Sequence, residues 1–322
     1  MKAIFSSNYG PPEILEVKEV PKPSVNDHQV LVKVHAASIN YGNLVLLKGE
    51  PKLARLVYGL FKPKYSIPGG DIAGIVEEVG PLVKQFKPGD EVFADLSSAG
   101  WGGFAEYVSV PENVLVSKPS NLTFEEAAAV PMAAVTALQS LRDKGNVKQG
   151  NKILIYGASG GVGTFAIQIA KSLGADVTAV CSTQNIQTAK TLGADFVLDY
   201  KKGEFEKATT RYDVILGVNG HQPLSIYNRA LSTNGVFVHV GGSEAQMFQA
   251  MFQGPWISMR TGKKFSTFLQ RANQSDLHNV KELIEAGHVK PVIDRCYKLN
   301  ETTEAFTYFA EGHARGKIVL SI

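Results

Sequence analysis

The stretch Lys152-Ile-Leu-Ile-Tyr-Gly-Ala-Ser-Gly-Gly-Val-Gly163 carries the strongest structural signal in this 322-residue chain. It begins with a short apolar run, typical of a buried strand, and continues into a glycine-rich turn. The pattern predicts a helix from Thr164 to Leu173, ended by Gly174. Small residues in such a turn let the backbone approach a pyrophosphate, and the start of a helix supplies free N–H groups. The stretch therefore predicts a nucleotide-binding unit; a tight turn without a ligand is the alternative.

Strands and helices alternate from residue 151 to about residue 242. The predicted strands are Asp176–Cys181, Phe196–Leu198, Val214–Leu216 and Val236–Val240, and a helix is predicted at Asn185–Leu192. This alternation indicates a doubly wound parallel sheet. In contrast, short strands with Gly and Pro turns fill residues 1–120, and residues 275–322 are of mixed character, with strands predicted at Val289–Asp294 and Gly316–Ile322. We therefore expect an α/β fold in which the doubly wound sheet is inserted into a β domain built from both chain ends.

Composition restricts the class of protein. Lys and Arg number 33 against 30 Asp and Glu, and the net charge of +3 is too small for a nucleic-acid or membrane-surface binder. The two cysteines, Cys181 and Cys296, cannot build a disulfide framework or a four-thiolate zinc lobe. The N-terminus shows no signal or transit pattern, and no apolar run reaches the ~20 residues that span a bilayer. The expectation is a soluble, cytoplasmic protein.

The residues after the second strand of the predicted parallel sheet bear on the identity of the nucleotide. NAD sites usually place an Asp or Glu there, where it holds the ribose 2′-hydroxyl. Here the strand ends in Cys181-Ser182-Thr183-Gln184-Asn185, which contains no acid to repel a 2′-phosphate and offers hydroxyls and amides that can donate to it. NADPH is therefore favoured over NADH, although this loop contains no arginine.

No metal site is expected, and one loop offers catalytic candidates. The seven histidines lack the spacing of three or four converging ligands that zinc requires. His239 lies in a predicted buried strand, where a satisfied core position is favoured over a catalytic one. In the polar loop Ser38–Asn43, Asn40 and Tyr41 could donate hydrogen bonds to a substrate carbonyl. Loop capping by Asn40 and a surface position for Tyr41 are equally compatible with the sequence.

Seven sequence blocks stand in a fixed order along nearly the whole chain: Ala37–Gly42, Pro68–Gly80, Lys87–Val92, Gly103–Tyr107, Ala127–Pro131, Ala158–Gly163 and Leu192–Asp195. In this order they resemble the medium-chain dehydrogenase/reductase superfamily. The chain looks most like its zinc-free quinone oxidoreductase branch, which includes chloroplast-envelope quinone oxidoreductase homologues and reticulon-interacting relatives. The resemblance implies a GroES-like domain (residues 1–125), a Rossmann domain (126–268) and a C-terminal return to the first domain (269–322), with the active site in the cleft between the domains.

The resemblance also implies which residues contact the cofactor NADPH. They are Thr136, Ala158, Ser159, Gly160, Gly161, Val162, Gly163, Ser182, Thr183, Tyr200, Gly241, Gly242 and Lys317. Zinc alcohol dehydrogenases of the superfamily carry a cysteine where this chain has Asn40, and a His-Glu pair where it has Gly70-Asp71, in agreement with the expected absence of zinc. Two positions depart from the pattern. Val45 stands where many zinc-free relatives carry a tyrosine or lysine that reaches the substrate, and Gln184 stands where close relatives carry a basic residue.

By this resemblance, the chain is an NADPH-dependent, zinc-independent oxidoreductase that transfers hydride to a quinone or to the C=C bond of an α,β-unsaturated carbonyl. The implied substrate is a small apolar electrophile, and a homodimer is expected. The alternative is a catalytically idle NADPH-binding or redox-sensing protein. Each of two apolar stretches is compatible with two interpretations. Residues 48–65 could roof the substrate site or pack on the core, and residues 247–256 could wall the substrate cleft or lie at a dimer edge.

Overall fold

The computed structural model describes residues 1–242 and 244–322. Strands occur along the whole described chain. They are β1 (Lys2–Phe5), β2 (Glu16–Glu19), β3 (Gln29–Ile39), β4 (Asp71–Val79), β5 (Glu91–Asp95), β6 (Tyr107–Pro111), β7 (Leu115–Ser117), β8 (Lys152–Tyr156), β9 (Asp176–Cys181), β10 (Phe196–Asp199), β11 (Tyr212–Gly217), β12 (Leu231–His239), β13 (Lys264–Thr267), β14 (Ile293–Lys298) and β15 (Lys317–Ser321).

Helices separate many of these strands. They are α1 (Tyr41–Lys48), α2 (Arg55–Tyr58), α3 (Phe124–Ala128), α4 (Pro131–Gln139), α5 (Gly161–Ser172), α6 (Ile186–Thr191), α7 (Glu204–Lys207), α8 (Leu224–Ala230), α9 (Glu244–Thr261), α10 (Gln274–Glu285) and α11 (Thr302–Ala310). A π-helical segment, Ser140–Lys144, continues α4. No helix in the described part of the chain is long and apolar enough to cross a membrane.

The internal contacts of the chain define two units. The first unit comprises Met1–Ala133, Arg271–Glu285 and Pro291–Ile322. The second unit comprises Ala134–Gln270 and Ala286–Lys290. Both ends of the chain therefore belong to the first unit, and the second unit is inserted between them in sequence.

The long strand β3 organises the sheet of the first unit. In the described residues the strand order is β14-β15-β3-β4-β5-β7, and β6 also pairs with β3. Near the end of β3, Ser38 pairs with Asp71, the first residue of β4. The next residue of β3, Ile39, pairs with Ile318 of β15. Because β15 begins at Lys317, this register brings the end of β3 together with the starts of two neighbouring strands.

The sheet of the second unit is parallel. Its strand order in the described residues is β10-β9-β8-β11-β12-β13. The strand that comes first in the chain, β8, lies in the middle, and the chain winds outward in both directions, as in dinucleotide-binding sheets. The β8 residues Ile153, Leu154 and Ile155 are fully buried, as expected for a strand covered on both faces. The predicted doubly wound sheet, inserted into a β domain from both chain ends, is confirmed.

Several element boundaries differ from the prediction; β12, for example, begins at Leu231 rather than at Val236. The helix α5 begins at Gly161 rather than at Thr164, because the last glycines of the turn already have helical geometry. The strand predicted at Val289–Asp294 begins at Ile293. The backbone N–H and C=O of Lys290 bind the side-chain amide of Gln168 instead of a neighbouring strand, and the residue that follows is a proline, which has no N–H to give to a sheet.

Both ambiguous apolar stretches expose large side chains. In residues 48–65, Leu53, Leu56 and Phe61 are 70%, 73% and 88% exposed, so the core-packing interpretation is wrong for these side chains. Residues 247–256 belong to α9. One face of this helix buries Ala250, whereas Trp256 is 65% exposed. Neither stretch therefore contributes these large side chains to the core.

Candidate cofactor and substrate sites

The glycine turn, defined here as residues 157–163, connects β8 to α5 in the second unit. Gly157 has a φ of +86°, in the region that favours glycine. A Cβ on Gly163 would lie 2.3 Å from the Gly157 carbonyl oxygen, so the turn leaves no space for a side chain there. A Cβ on Gly160 would lie 3.7 Å from the same oxygen, an ordinary contact. The turn is therefore closed by residues without side chains, which keeps its backbone accessible to a ligand.

The glycine turn ends at the N-terminus of α5. Gly160 is the N-cap residue, and no side chain caps the helix. The N–H groups of residues 161–163 lie in the first turn of the helix, where no intrahelical carbonyl is available to them. Ser159 is half-buried, and the buried Ala158 donates its N–H to the Val180 carbonyl oxygen at 3.1 Å. This arrangement of N–H groups and helix dipole fits the pyrophosphate of a dinucleotide.

The loop after β9 contains two of the predicted cofactor residues. Ser182 Oγ accepts a hydrogen bond from Asn185 Nδ2 at 3.1 Å, and the Thr183 hydroxyl donates to the carboxylate of Asp199. Asp199 is fully buried at the end of β10 and lies opposite Cys181 in the parallel register. The loop residues themselves contain no acid, as expected. In the folded chain, however, the neighbouring strand β10 places the Asp199 carboxylate beside Thr183.

Asp199 is held in its ionised form. Hydrogen bonds from the Thr183 hydroxyl and the Lys201 N–H hold the pKa of Asp199 below its usual range, although burial acts in the opposite direction. Lys202 Nζ lies 3.9 Å from the same carboxylate. The predicted cofactor residue Tyr200 is 45% exposed and stands between Asp199 and the two exposed lysines. The loop thus combines one buried negative charge with two exposed positive charges.

Three further predicted cofactor residues also lie in the second unit. Thr136 is in α4 and is 8% exposed. Gly241 and Gly242 follow β12, at the carboxyl edge of the sheet, where the glycine turn also lies. Gly242 has a φ of +105°, and a Cβ on Gly241 would lie 2.8 Å from the Val218 carbonyl oxygen. Glycine is therefore required for this tight turn, and its position fits the edge of the sheet at which dinucleotides bind.

Two titratable residues of the second unit have pKa values that leave them uncharged at neutral pH. Burial lowers the pKa of His239 to about 4, and burial raises the pKa of the Cys181 thiol to about 11. The predicted core position of His239 is confirmed, since it is 4% exposed. Its Nδ1, however, has no hydrogen-bond partner among the described residues. Hydrogen-bond satisfaction of this core histidine therefore stays a prediction.

The predicted catalytic residues lie in the first unit. Tyr41 is the first residue of α1 and is 50% exposed, whereas Asn40 is 8% exposed at the N-cap. The Asn40 backbone N–H donates to Asn43 Oδ1 at 2.8 Å, so Asn43 performs the local capping. The Asn40 side chain contacts Asp71 and Lys317. Asn40 therefore lies at the predicted cap position, and its side chain also takes part in a second set of contacts.

Asn40, Ser38, Asp71 and Lys317 form a buried polar group, called the Asn40 cluster below. Asn40 Nδ2 donates to Asp71 Oδ2 at 2.7 Å, and Lys317 Nζ donates to Asn40 Oδ1. Ser38 Oγ donates to the same Asp71 oxygen at 3.1 Å. The other oxygen of Asp71 accepts the Met132 N–H at 3.0 Å. The Asp71 carboxylate thus accepts three hydrogen bonds, and the Asn40 amide bridges the acid and the lysine.

Burial opposes both charges of this cluster. Asp71 is 0% and Lys317 is 3% exposed. Burial raises the pKa of Asp71 to about 7 and lowers the pKa of Lys317, while each of these groups favours the charged form of the other. Asp95 lies opposite Asp71 in the register of β5 and adds a second negative charge. The hydrogen bonds of Asn40 and Ser38 therefore help to retain a charged pair in a region that disfavours charge.

Two partners of Asn40 were not expected from the sequence. Lys317 is hydrogen-bonded to Asn40 in the first unit, and its contact with the cofactor stays a prediction. Asp71, which was not among the predicted site residues, is the main acceptor of the cluster. The available sequence signal was an acid at the start of an otherwise apolar strand, Asp71-Ile-Ala-Gly-Ile, because a buried acid needs partners.

The metal prediction remains open. Within residues 1–242 and 244–322, no group of three or more His, Cys, Asp or Glu side chains is arranged to hold a metal ion. The absence of zinc stays a prediction of the sequence.

Comparisons with known proteins cover the whole chain. The model of the alcohol dehydrogenase GroES-like domain matches residues 26–120, and the model described as zinc-binding dehydrogenase matches residues 192–320. The chain is 35% identical to the chloroplast envelope quinone oxidoreductase homolog of Arabidopsis thaliana, over 99% of this chain and 98% of that protein. It is 32% identical to the chloroplastic NADPH-dependent alkenal/one oxidoreductase of the same plant, over 99% and 79% of the two chains.

A solved structure agrees with these matches. The quinone oxidoreductase from Coxiella burnetii is 30% identical and superposes with a TM-score of 0.87, over 100% of this chain and 99% of that one. The GroES-like match includes Asn40, which follows β3, and Asp71, the first residue of β4. The chain is therefore an oxidoreductase and belongs to the quinone oxidoreductase branch of the medium-chain dehydrogenase/reductase superfamily.

Proposed function

We propose that this oxidoreductase uses NADPH, without a zinc ion, to reduce quinones or the C=C bond of α,β-unsaturated carbonyls. The observation that carries the proposal is the bridging position of the Asn40 amide between Lys317 and Asp71. By the family resemblance, Asn40 stands where the zinc alcohol dehydrogenases carry a metal-binding cysteine. A hydrogen-bond donor fixed in advance can stabilise a developing oxyanion in the place of a metal.

The second unit supplies the proposed cofactor contacts. The N–H groups of residues 161–163 would bind the pyrophosphate, and Lys201 and Lys202 would offset the charge of Asp199 near a 2′-phosphate. When bound, the reduced nicotinamide supplies a hydride, which is a hydrogen nucleus together with two electrons. The matched alkenal/one oxidoreductase is named as NADPH-dependent, which supports the same preference here.

The first unit supplies the proposed electrophilic group. Asn40 Nδ2 would donate to the carbonyl oxygen of the acceptor. Hydride addition at the β-carbon breaks the C=C π bond, and its electron pair moves toward that oxygen to give an enolate. The enolate then takes a proton from solvent at the α-carbon. With a quinone, one hydride and one solvent proton give the hydroquinone, and Asn40 has the same task at the carbonyl oxygen.

We also propose that the protein is a cytoplasmic homodimer. The strand β13 supports the dimer, because it is paired on one side only in the described part of the parallel sheet, and such an edge can pair with a second copy. Light scattering on the purified protein at several concentrations tests this proposal. A monomer at all concentrations would reject it.

Binding and turnover test the proposed activity. The protein would be titrated with NADPH and with NADH, followed by cofactor fluorescence, and its metal content would be measured. We expect NADPH to bind at least ~10-fold more tightly, a difference of about 1.4 kcal/mol. Quinones, enones and enals would then be screened with NADPH. Tight binding without turnover of any acceptor would favour the idle redox-sensing alternative, and no binding of either cofactor would reject the proposal.

A further inference from the structure

We infer that Lys317 is a positioning residue that orients and polarises the Asn40 amide, and that it does not contact the cofactor. The inference rests on the proposed function, because it identifies the residue that makes Asn40 an effective donor. Its basis is a chain of two hydrogen bonds in the first unit. Lys317 Nζ donates to Asn40 Oδ1, and Asn40 Nδ2 donates to Asp71 Oδ2 at 2.7 Å.

These two hydrogen bonds determine how Asn40 can interact with a substrate. An asparagine side chain has one acceptor oxygen and two donor hydrogens. While Lys317 is protonated it can only donate, and while Asp71 is ionised it can only accept, so in this charge state the amide cannot be turned over. Its oxygen and one of its hydrogens are thereby occupied. The second Nδ2 hydrogen remains, and the cluster therefore offers a donor to a substrate oxygen.

The charge of Lys317 also strengthens this donor. A cation at the amide oxygen favours the resonance form in which the amide nitrogen carries positive charge. The N–H groups become more acidic and bind an oxyanion more strongly, as expected for hydrogen bonds in a polarised chain. Because Lys317 and Asp71 are buried, water screens this effect little. Lys317 thus acts on a substrate oxygen through Asn40.

The ammonium group of Lys317 is held within the sheet. Lys317 begins β15, and its Nζ also donates to the carbonyl oxygen of Ile39 on the adjacent strand β3, at 3.1 Å. Asp71 Oδ2 lies 3.6 Å away, and Asp95 on β5 adds a further negative charge. The ammonium group therefore makes two hydrogen bonds, to Asn40 and Ile39, and one ion pair, with Asp71. A cofactor group that binds Lys317 would compete with these partners.

Two matched variants test the inference. Lys317→Met removes the charge and keeps the side-chain length. Lys118→Met is the control, because the Lys118 side chain is also nearly buried in the first unit, at 6% exposure, and pairs with Glu91 at 3.1 Å. The Kd for NADPH, kcat and KM would be measured with a quinone and with a less reactive enone. Lys317→Arg, which keeps a positive charge, would be measured alongside.

We expect the kinetic effect to be confined to kcat. In Lys317→Met, kcat should fall by about 10–100-fold, less than the loss of the donor itself would cause. KM and the Kd for NADPH should stay within ~3-fold of the wild type. The loss should be larger for the enone than for the quinone, since a weaker electrophile needs more polarisation. Lys317→Arg should recover part of kcat, and Lys118→Met should retain it.

Three kinetic results would overturn the inference. A Kd for NADPH weakened by ~10-fold or more, with kcat preserved, would make Lys317 a cofactor contact. Equal losses for both acceptors would indicate a general defect of the site. Similar losses in Lys317→Met and Lys118→Met would indicate that a buried lysine contributes only to stability.

A measurement without turnover separates this inference from the proposed function. In protein labelled with ¹⁵N-asparagine, the side-chain amide signals of Asn40 are those missing from Asn40→Ser. These signals should move upfield in Lys317→Met and stay in place in Lys118→Met. If Lys317→Met does not fold, Lys317→Gln replaces it, because glutamine keeps a donor and removes the charge.

The two outcomes of this measurement are distinct. Unchanged Asn40 signals would reject the inference, whether or not the protein reduces an acceptor. Shifted signals in a protein that reduces no acceptor would reject the proposed function and support the polarisation of Asn40 by Lys317.

Discussion

The glycine turn and the Asn40 cluster are built in opposite ways. The glycine turn is one continuous run, residues 157–163, and it depends on absent side chains, since a Cβ on Gly163 would lie 2.3 Å from the Gly157 oxygen. The Asn40 cluster joins side chains from the end of β3 and the starts of β4 and β15, and it depends on charges that are buried together. The glycine turn should therefore be disrupted by substitutions that add side-chain atoms. The Asn40 cluster should be disrupted by substitutions that remove them.

Because of this difference, substitutions in the two regions should affect different properties of the enzyme. Changes in the glycine turn should weaken cofactor binding, because its backbone holds the pyrophosphate. Changes in the Asn40 cluster should lower kcat and spare cofactor binding, because its donor acts on the transition state. The following substitutions test this separation.

The largest effect is expected from Asn40→Ala, which removes the donor of the cluster. The kcat for enone reduction should fall by about 10²–10³-fold, the usual cost of losing one oxyanion donor. The Kd for NADPH should stay within ~3-fold of the wild type. Steady-state kinetics at saturating NADPH and a fluorescence titration measure both quantities, with Asn113→Ala, at an exposed asparagine of the first unit, as the control. A comparable loss of NADPH affinity in Asn40→Ala would remove the distinction between the two regions.

A similar effect, on binding instead of kcat, is expected from Gly163→Ala. The new Cβ would meet backbone atoms of Gly157 and Ala158 at 2.3 to 2.7 Å, so the turn must open. NADPH should bind at least ~100-fold more weakly, a change of about 2.8 kcal/mol. Gly160→Ala is the comparison, because its Cβ would meet only an ordinary contact at 3.7 Å with the protein, so any loss of affinity there reports contact with the pyrophosphate and not opening of the turn. Equal losses in both variants would show that the close approach at Gly163 is not what the turn requires.

A smaller effect concerns the pH dependence of stability in the second unit. Burial holds the pKa of His239 at about 4, below its ordinary value of 6.5. Between these two pH values the unfolded chain binds more protons than the folded one, so stability is present above pH 6.5 and is lost as the pH falls toward 4. The loss due to His239 should be about 2 kcal/mol at pH 5 relative to pH 8.

Urea unfolding of the wild type and of His239→Gln at both pH values measures this contribution. The variant should lose less stability on acidification than the wild type. His28→Gln, at an exposed histidine, is the control and should behave as the wild type. An identical acid loss in His239→Gln would mean that other groups cause it.

The smallest effect is expected from Asp199→Asn. The variant removes the negative charge beside Thr183 and releases Lys202 from its pair at 3.9 Å. The ratio of NADH Kd to NADPH Kd should rise by about 3–10-fold, at most about 1.4 kcal/mol. Asp195→Asn, at the opposite end of β10 and paired with Lys171, is the matched control and should leave this ratio unchanged. A ratio that stays constant in Asp199→Asn would mean that the buried acid does not influence the choice of cofactor.

Sequence reasoning succeeded where neighbours in the chain make the structure. The strand, turn and helix around residues 152–172 are all local, and they were predicted with an error of three residues at the start of α5. The loop after β9 was correctly predicted to contain no acid among its own residues, but the acid that packs against it in the folded chain was not predicted. Its acid, Asp199, comes from the next strand, 16 residues beyond its partner Thr183.

The Asn40 cluster shows the same limit more clearly. Asn40 could be selected because it lies in a polar loop after an apolar strand. Its partners Asp71 and Lys317 are 31 and 277 residues away in sequence. No local pattern relates these positions, and the resemblance alone suggested a different role for Lys317. Only the register of β3 with β4 and β15 places the three side chains within hydrogen-bond distance.

The amino-acid sequence alone was sufficient for the alternation of strands and helices, the glycine turn and the family, because hydrophobic periodicity and backbone freedom are properties of neighbouring residues. The buried acid beside Thr183, the bridge from Lys317 to Asn40 and the exposure of Phe61 required the folded chain. These features depend on which strands become neighbours and on how much water each side chain loses, and burial then sets the charge and the hydrogen-bonding direction of each group.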